Sequence, residues 1–291
     1  AESSDDEIDA FVSQSVAEIA AQQQSAGGPS IEPQIADVGG ERMRYLMMGE
    51  GGTPVLFLHG FGGDLNNWMF NQPALSAGRR TIAFDLPGHG GSSKNVADGS
   101  VASLARTVIA AMDALDVGKA HLVGHSLGGA VAMALADAEP ARAASLTLIC
   151  SAGLGGEISR AYIDGFLQAK RRRDLQKTLE LLFADTALVT ADMAEDLLKF
   201  KRLDGAEDAL RKIADANFPG FVQREGLRKA LAASPVPLLT IWGREDNIIP
   251  VSHSANLPGR LEVLEGAGHM PHLEKASHVN AMVTEHIEAA G

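Results

Sequence analysis

The chain has a single cysteine, Cys150, so no internal disulfide can brace it. Such low cysteine usage fits a reducing compartment. No apolar run approaches the roughly 20 residues of a membrane-spanning helix, and no signal-peptide pattern is visible. Cations are in deficit: 25 Lys and Arg stand against 37 Asp and Glu, a net charge of −12. That balance disfavours nucleic acid or an anionic membrane as a partner. No grouping of His, Cys and carboxylates has the spacing of a metal site. The expectation is a soluble, cytoplasmic protein with no metal and no tightly bound cofactor. Cys150 closes the apolar run Ser145 to Cys150 and reads as a buried small hydrophobe.

What is present is ordinary in bulk and specific in detail. The 291 residues, 45% apolar and 21% charged, could form one large domain or two small ones. The most informative stretch is Gly124-His125-Ser126-Leu127-Gly128, followed by Gly129. A short apolar strand pattern, Ala120 to Val123, precedes it. A run rich in Ala, Leu and Met, Ala130 to Ala138, follows and favours helix. A serine between strand and helix, flanked by glycines, is the pattern of a nucleophile elbow. The turn leaves no room for side chains at Gly124 and Gly128 and presents the Ser126 hydroxyl away from the sheet.

A serine hydroxyl needs a base, an orienting acid and an oxyanion hole before it can attack. His269, in Gly266-Ala267-Gly268-His269-Met270-Pro271, follows the strand-like run Leu261 to Leu264 and is the expected base. Asp246, in the loop that leaves the apolar strand Pro237 to Trp242, is the expected acid. Asp85 and Glu245 are its rivals. The order Ser, Asp, His favours Asp246 over Asp85, which precedes the elbow. The backbone N–H groups of Phe61 and Leu127 are the expected oxyanion donors. Trp68 and His125 are candidate pocket-lining residues, with plain core packing the equal alternative for Trp68, and His59 reads as a support for the oxyanion loop. His121, His253, His272, His278 and His286 read as surface or satisfied histidines. The basic run Lys170-Arg171-Arg172-Arg173 reads as a solvated helix face, with a phosphate-binding patch as the alternative.

From about residue 35 onward the chain resembles the α/β-hydrolase family. The resemblance is carried by His59-Gly60-Phe61-Gly62-Gly63, Asp85-Leu86-Pro87-Gly88-His89-Gly90 and the Ser126 elbow, with the Asp246 and His269 loops. It implies an α/β fold: a mostly parallel sheet, helices on both faces and a helical cap insertion. The strand and helix patterns alternate as such a sheet requires. Residues 1–34 read as an N-terminal helix and linker, with a capping pattern at Ser4 to Glu7, helical spacing from Ile8 to Ile19, and a Gln, Ser, Gly and Pro stretch from Gln22 to Ser30. Residues 35–152 and 235–291 then form the two parts of the core. Residues 153–234, where strand signals vanish, form the cap.

Within that family, Ser126 separates the chain from relatives with an aspartate nucleophile, such as haloalkane dehalogenases and epoxide hydrolases. Phe61-Gly62-Gly63-Asp64 departs from the Gly-Pro-Gly loop of carbon–carbon bond hydrolases. A closer resemblance is to the hydrolase-like domain of dihydrolipoyl acetyltransferase (E2) subunits of acetoin dehydrogenase complexes. Phe61 to Trp68, Leu181 to Asp185 and Asp196 to Gly205 carry it. It implies acetyl transfer with coenzyme A and a lipoyl group as co-substrates, and other subunits of such a complex as partners. The chain departs from ordinary E2 acyltransferases in lacking their His-x-x-x-Asp-Gly motif and an Asp-Lys-Ala lipoylation site, so transfer would have to run through Ser126. Residues 1–34 would then continue from a lipoyl domain. The alternatives are a stand-alone carboxylesterase or carbon–carbon bond hydrolase acting on a small acyl substrate, and a non-catalytic scaffold.

Overall fold

The computed structural model describes residues 32–224 and 226–291. The expected helix and linker patterns between Ser4 and Ser30 lie outside those residues. Eight strands, β1 (Gln34–Val38), β2 (Glu41–Met48), β3 (Val55–Leu58), β4 (Thr81–Phe84), β5 (Ala120–His125), β6 (Ala143–Ile149), β7 (Leu238–Gly243) and β8 (Arg260–Leu264), form one sheet. Its order is β1-β2-β4-β3-β5-β6-β7-β8. The β1/β2 and β2/β4 pairs are antiparallel, and every later pair is parallel. Strands β3 to β7 are buried along their whole length. They read as continuous apolar runs because both faces are covered. β1 was not anticipated, and it begins at Gln34, inside the stretch assigned to the leader. It is an edge strand that buries only Ala36, so it carries almost no apolar alternation.

The helices are α1 (Gln72–Leu75), α2 (Val101–Ala114), α3 (Leu127–Ala138), α4 (Arg160–Gln168), α5 (Arg172–Leu179), α6 (Ala191–Lys201), α7 (Ala206–Asn217), α8 (Leu227–Ala233), α9 (Pro271–Glu274) and α10 (Ala276–Ala290). α2 starts at Ser100, whose side chain accepts from the Ser103 N–H, and it buries Leu104, Val108 and Met112 at helical spacing. Helices α4 to α8 all lie between β6 and β7. Among the described residues of that insertion the only β pairing is an isolated bridge, Glu157 to Val222. The buried ammonium of Lys201 donates to the carbonyls of Phe166 and Ala169, which satisfies the C-terminal end of α4. No helix of the described residues is long and apolar enough to cross a membrane.

Two features place the site. The chain steps outward from β3 to β4 and then back past β3 to β5, so the sheet order reverses between β3 and β5. A crevice opens at the carboxyl ends of strands at such a reversal. β3 and β5 pair in register from Val55 and His121 to Leu58 and Gly124, so Phe61 and Ser126 follow neighbouring strand ends. The second feature is the contact between α3 and the ends of those strands. A Cβ on Gly128 would lie 2.0 Å from the Leu58 carbonyl oxygen, and one on Gly124 would lie 2.4 Å from the Gly128 carbonyl oxygen.

Trp68, a candidate pocket residue, lies in the core instead. It is 1% exposed, tilted against Phe57 at 5.0 Å and against His272 at 4.7 Å between ring centroids. The 3₁₀ turn Leu65–Trp68 buries Leu65 and Trp68 together, which turns the indole inward. His272 is not a surface or satisfied histidine either. It is fully buried, and neither ring nitrogen has a hydrogen-bond partner among the described residues. Its ring continues the stack to His125 at 4.6 Å. Burial, reinforced by His269 nearby, pulls its pKa down to about 3.

Two outcomes follow from this packing. Gly128→Ala should destabilise the protein. Helix propensity favours alanine by about 1 kcal/mol, but a Cβ 2.0 Å from backbone oxygen forces a shift costing about 1–3 kcal/mol or more. Thermal unfolding should register a lower melting temperature, and an unchanged one would refute the close approach. His272 also makes stability fall in acid. Its folded pKa lies below the ordinary value, so the unfolded chain binds the proton first. Its contribution is fully present above the unfolded pKa of about 6.5 and is lost as pH falls toward about 3. The slope is up to about 1.4 kcal/mol per pH unit. Urea unfolding at about pH 7 and about pH 5 should show a shallower loss in His272→Phe than in the unsubstituted protein.

Candidate active site

Ser126 joins β5 to α3 with φ 51° and ψ −117°, a conformation that L-residues rarely adopt. Its N–H donates to the Ile149 carbonyl at 2.9 Å, and its carbonyl accepts from Ala152 at 3.0 Å. These bonds tie the strained residue to the end of β6 and the loop beyond it. Leu127 is the first residue of α3, so its N–H has no intrahelical carbonyl to bond.

The Phe61 loop is held from two sides. Below it, Asp85 is fully buried. Its carboxylate accepts from the N–H groups of Leu65 at 2.8 Å and Gly91 at 2.7 Å, and pairs with Arg44 at 3.1 Å. The expected rival acid thus organises the Phe61 loop. Its oxygens face that loop and Arg44. His59 accepts from the Leu86 N–H through Nε2 at 2.9 Å, which places its proton on Nδ1, 2.8 Å from the Gly60 carbonyl. Burial lowers its pKa despite the nearby Asp85, so the ring stays neutral. From above, the Tyr162 hydroxyl of α4 donates to the Phe61 carbonyl at 3.1 Å. Gly62, with φ +78°, lies under the Phe166 ring, where a Cβ would come within 2.3 Å. Tyr162 and Phe166 carry no motif, and their role appears only when the cap folds over the core.

His269 and Asp246 meet at 2.8 Å through Nδ1 and Oδ2, with side chains 2% and 0% exposed. The other Asp246 oxygen accepts from the N–H groups of Ile248 at 2.8 Å and Ile249 at 3.0 Å. Those bonds require the sharp turn before Pro250. The loop is anchored by the Trp242 indole, which donates to the Ile249 carbonyl at 3.1 Å. Nδ1–H of His269 is committed to the carboxylate, which leaves Nε2 as the ring's basic atom. Glu245, the other rival, accepts instead from the Ala267 N–H at 3.1 Å and steadies the histidine loop. His125 donates from Nε2 to the His269 carbonyl at 2.8 Å. Burial and the neighbouring His272 and His269 hold its pKa well below the ordinary value.

Glu274 ties the histidine loop to the cap. Its carboxylate accepts from Gly268 at 2.7 Å and, across the cap, from Ala184 at 2.7 Å and Asp185 at 3.2 Å. Burial raises its pKa. His269's own N–H donates to the Leu182 carbonyl at 2.7 Å. No local pattern marks Glu274, because its cap partners lie 90 and 89 residues away.

A cavity of about 490 Å³ lies between core and cap, with Phe61, His125, Ser126 and His269 in its wall. Leu182, Leu197, Phe200 and Met193 close it from the cap side. The basic run stands apart from it: Arg171, Arg172 and Arg173 are exposed, and Lys170 pairs with Glu207. Among the described residues one trio, Cys150, Asp246 and His269, brings metal-ligand atoms within 4.8 Å of one another. Both Asp246 oxygens already accept the hydrogen bonds described above, so the trio belongs to the His–Asp pair.

The arrangement offers a strained serine hydroxyl and a carboxylate-oriented imidazole in the wall of one cavity, components that acyl transfer uses. Three comparisons bear on it. A dihydrolipoyllysine-residue acetyltransferase component of an acetoin cleaving system from Pseudomonas putida is 50% identical over 283 residues, covering 96% of this chain and 75% of that protein. A 2-hydroxy-6-oxononadienedioate/2-hydroxy-6-oxononatrienedioate hydrolase from Burkholderia vietnamiensis is 32% identical over 266 residues, covering 84% and 90%. The solved structure of a meta-cleavage product hydrolase from Pseudomonas fluorescens IP01 superposes with a TM-score of 0.80 at 26% identity, covering 89% and 98%. The family model of the alpha/beta hydrolase fold matches residues 53–276, and the chain is an enzyme of the α/β-hydrolase family.

Proposed function

We propose that this enzyme transfers an acetyl group from S-acetyl-dihydrolipoamide to coenzyme A through acetyl-Ser126. Half of all aligned residues are shared with an acetyltransferase component of an acetoin cleaving system, across nearly the whole chain, and that observation carries the reading. His269 Nε2 takes the proton of Ser126 as Oγ bonds to the thioester carbonyl carbon. The N–H groups of Phe61 and Leu127 hold the oxyanion. The carbon–sulfur bond breaks, and the leaving dihydrolipoyl sulfur takes the proton back from His269. The thiol of coenzyme A then gives its proton to His269 and attacks the acetyl-serine carbonyl. The serine ester bond breaks, and Ser126 regains its hydrogen. Asp246 holds the imidazole in the tautomer that leaves Nε2 free and stabilises its charged form. Other subunits of an acetoin-cleaving complex are the proposed source of the acetylated lipoyl group.

A second reading is hydrolysis, supported by the hydrolase names carried by the Burkholderia relative and the Pseudomonas fluorescens structure. Water would then replace the coenzyme A thiol in the second half. On the same thioester the two differ in the acceptor, which depends on how far the cap excludes water; a carboxylesterase or carbon–carbon bond hydrolase would take a different donor as well.

Incubation with S-acetyl-dihydrolipoamide, with and without coenzyme A, separates them. Transfer gives acetyl-CoA that disappears in Ser126→Ala, with turnover reduced by about 10⁴-fold or more. Acetate alone, indifferent to coenzyme A, would overturn the transferase reading in favour of the hydrolase. Asp246→Asn should lower acyl turnover by about 10⁴-fold through the wrong imidazole tautomer, with the protein still folded. Asp85→Asn should mainly lower the melting temperature, because it weakens the bonds to Leu65 and Gly91. Equal losses of turnover in two equally stable variants would remove the distinction between the two acids.

A further inference from the structure

The wall of the cavity carries no Lys or Arg among its described residues. Its ionisable carboxyl groups are Asp64, whose pKa burial raises, and Asp196, which is paired with Lys199 at 2.8 Å. The polar side chains present are largely engaged in local structure. Asp64 accepts from the Asn66 N–H at 2.8 Å, Asn67 accepts from the Asp64 N–H at 3.0 Å, and Thr190 caps α6 through the Met193 N–H at 3.2 Å. His125 is neutral and already donates to the His269 carbonyl. The mouth continues this character: Met69 on the core side and Leu188 on the cap side both line the cavity and are 54% and 44% exposed.

A carboxylate entering this space would lose its water and find no cation to replace it. The hydrolase relative from Burkholderia is named for dienedioates, which carry two carboxylates. The volume points the same way. A water's share of liquid is about 30 Å³, so an acetyl group of three heavy atoms fills only a small part of about 490 Å³. The remaining space is apolar and suited to the carrier's carbon chain.

We infer that the cavity selects uncharged acyl donors on aliphatic carriers and rejects donors that bear a carboxylate. The inference rests on the reading of Ser126 as the acyl-accepting nucleophile and holds for either acceptor. It predicts that this chain refuses the dianionic compounds for which the Burkholderia relative is named.

The test uses a matched pair of covalent probes: p-nitrophenyl ethyl hexylphosphonate, and the same reagent with a carboxylate at the end of the hexyl chain. Attack by Ser126 forms the Oγ–phosphorus bond and releases p-nitrophenolate, and peptide mass spectrometry locates the adduct. The uncharged probe should react on the order of 100-fold faster. A ratio below about tenfold, with Ser126 labelled, would overturn the charge selection and leave the nucleophile intact. Absence of any adduct on Ser126 from either probe would overturn the nucleophile reading and this inference with it. Leu197→Arg places a cation in the wall and should narrow the ratio. An unchanged ratio in a folded Leu197→Arg protein would show that wall charge does not set the preference. The ratio in the unsubstituted protein decides the matter if that variant does not fold.

Discussion

The structure depends on one backbone contact made without side chains, where α3 crosses the ends of β3 and β5. Gly128 lies against the Leu58 and His59 carbonyls, and Gly124 lies against Gly128 itself. This closeness brings the first turn of the helix down to the sheet. Ser126 must then enter the helix at positive φ, and the N–H of Leu127 must face the same crevice as the loop after β3. Loosening the contact would move Ser126 and the Leu127 N–H together. The strain at Ser126 is held by its bonds to Ile149 and Ala152 and by the buried strands on either side.

A second layer of organisation is electrostatic and is built from groups that do not touch the substrate. Asp85 gathers Leu65, Gly91 and Arg44 beneath the oxyanion loop. Glu245 and Glu274 each accept N–H groups of the histidine loop. Carboxylates accept such bonds well, and each fixes a loop that the sheet alone would leave unconstrained. Buried neutral histidines fill the space behind them, with His59, His89, His125 and His272 all shifted toward the uncharged form by burial. The charges near the site are thus tied to loop N–H groups, Arg44 and His269, with neutral histidine rings packed among them.

The parts legible in the sequence were those that a local constraint dictates. Strands covered on both faces are continuous apolar runs, and a tight strand-to-helix turn demands glycine at Gly124 and Gly128. The Asp246 and His269 loops were visible through their strand ends and turn residues, and the structure brings the two side chains within hydrogen-bonding distance. What was hidden depends on distant packing. β1 buries one side chain, so nothing in its pattern marks a strand. Trp68 stands close in sequence to the oxyanion loop, but a single turn of 3₁₀ helix rotates it into the core. Glu274 and Tyr162 act across the cap boundary, and no spacing rule reaches that far.

The bond from the His269 N–H to the Leu182 carbonyl gives the cap a second meaning. A lid usually lies over a finished site. Here the end of a 3₁₀ turn of the cap, Glu180–Leu182, is also one of the struts of the imidazole loop, so lifting it at Leu182 to Asp185 would release that loop on the same stroke. Cap and imidazole loop would therefore loosen together rather than one after the other.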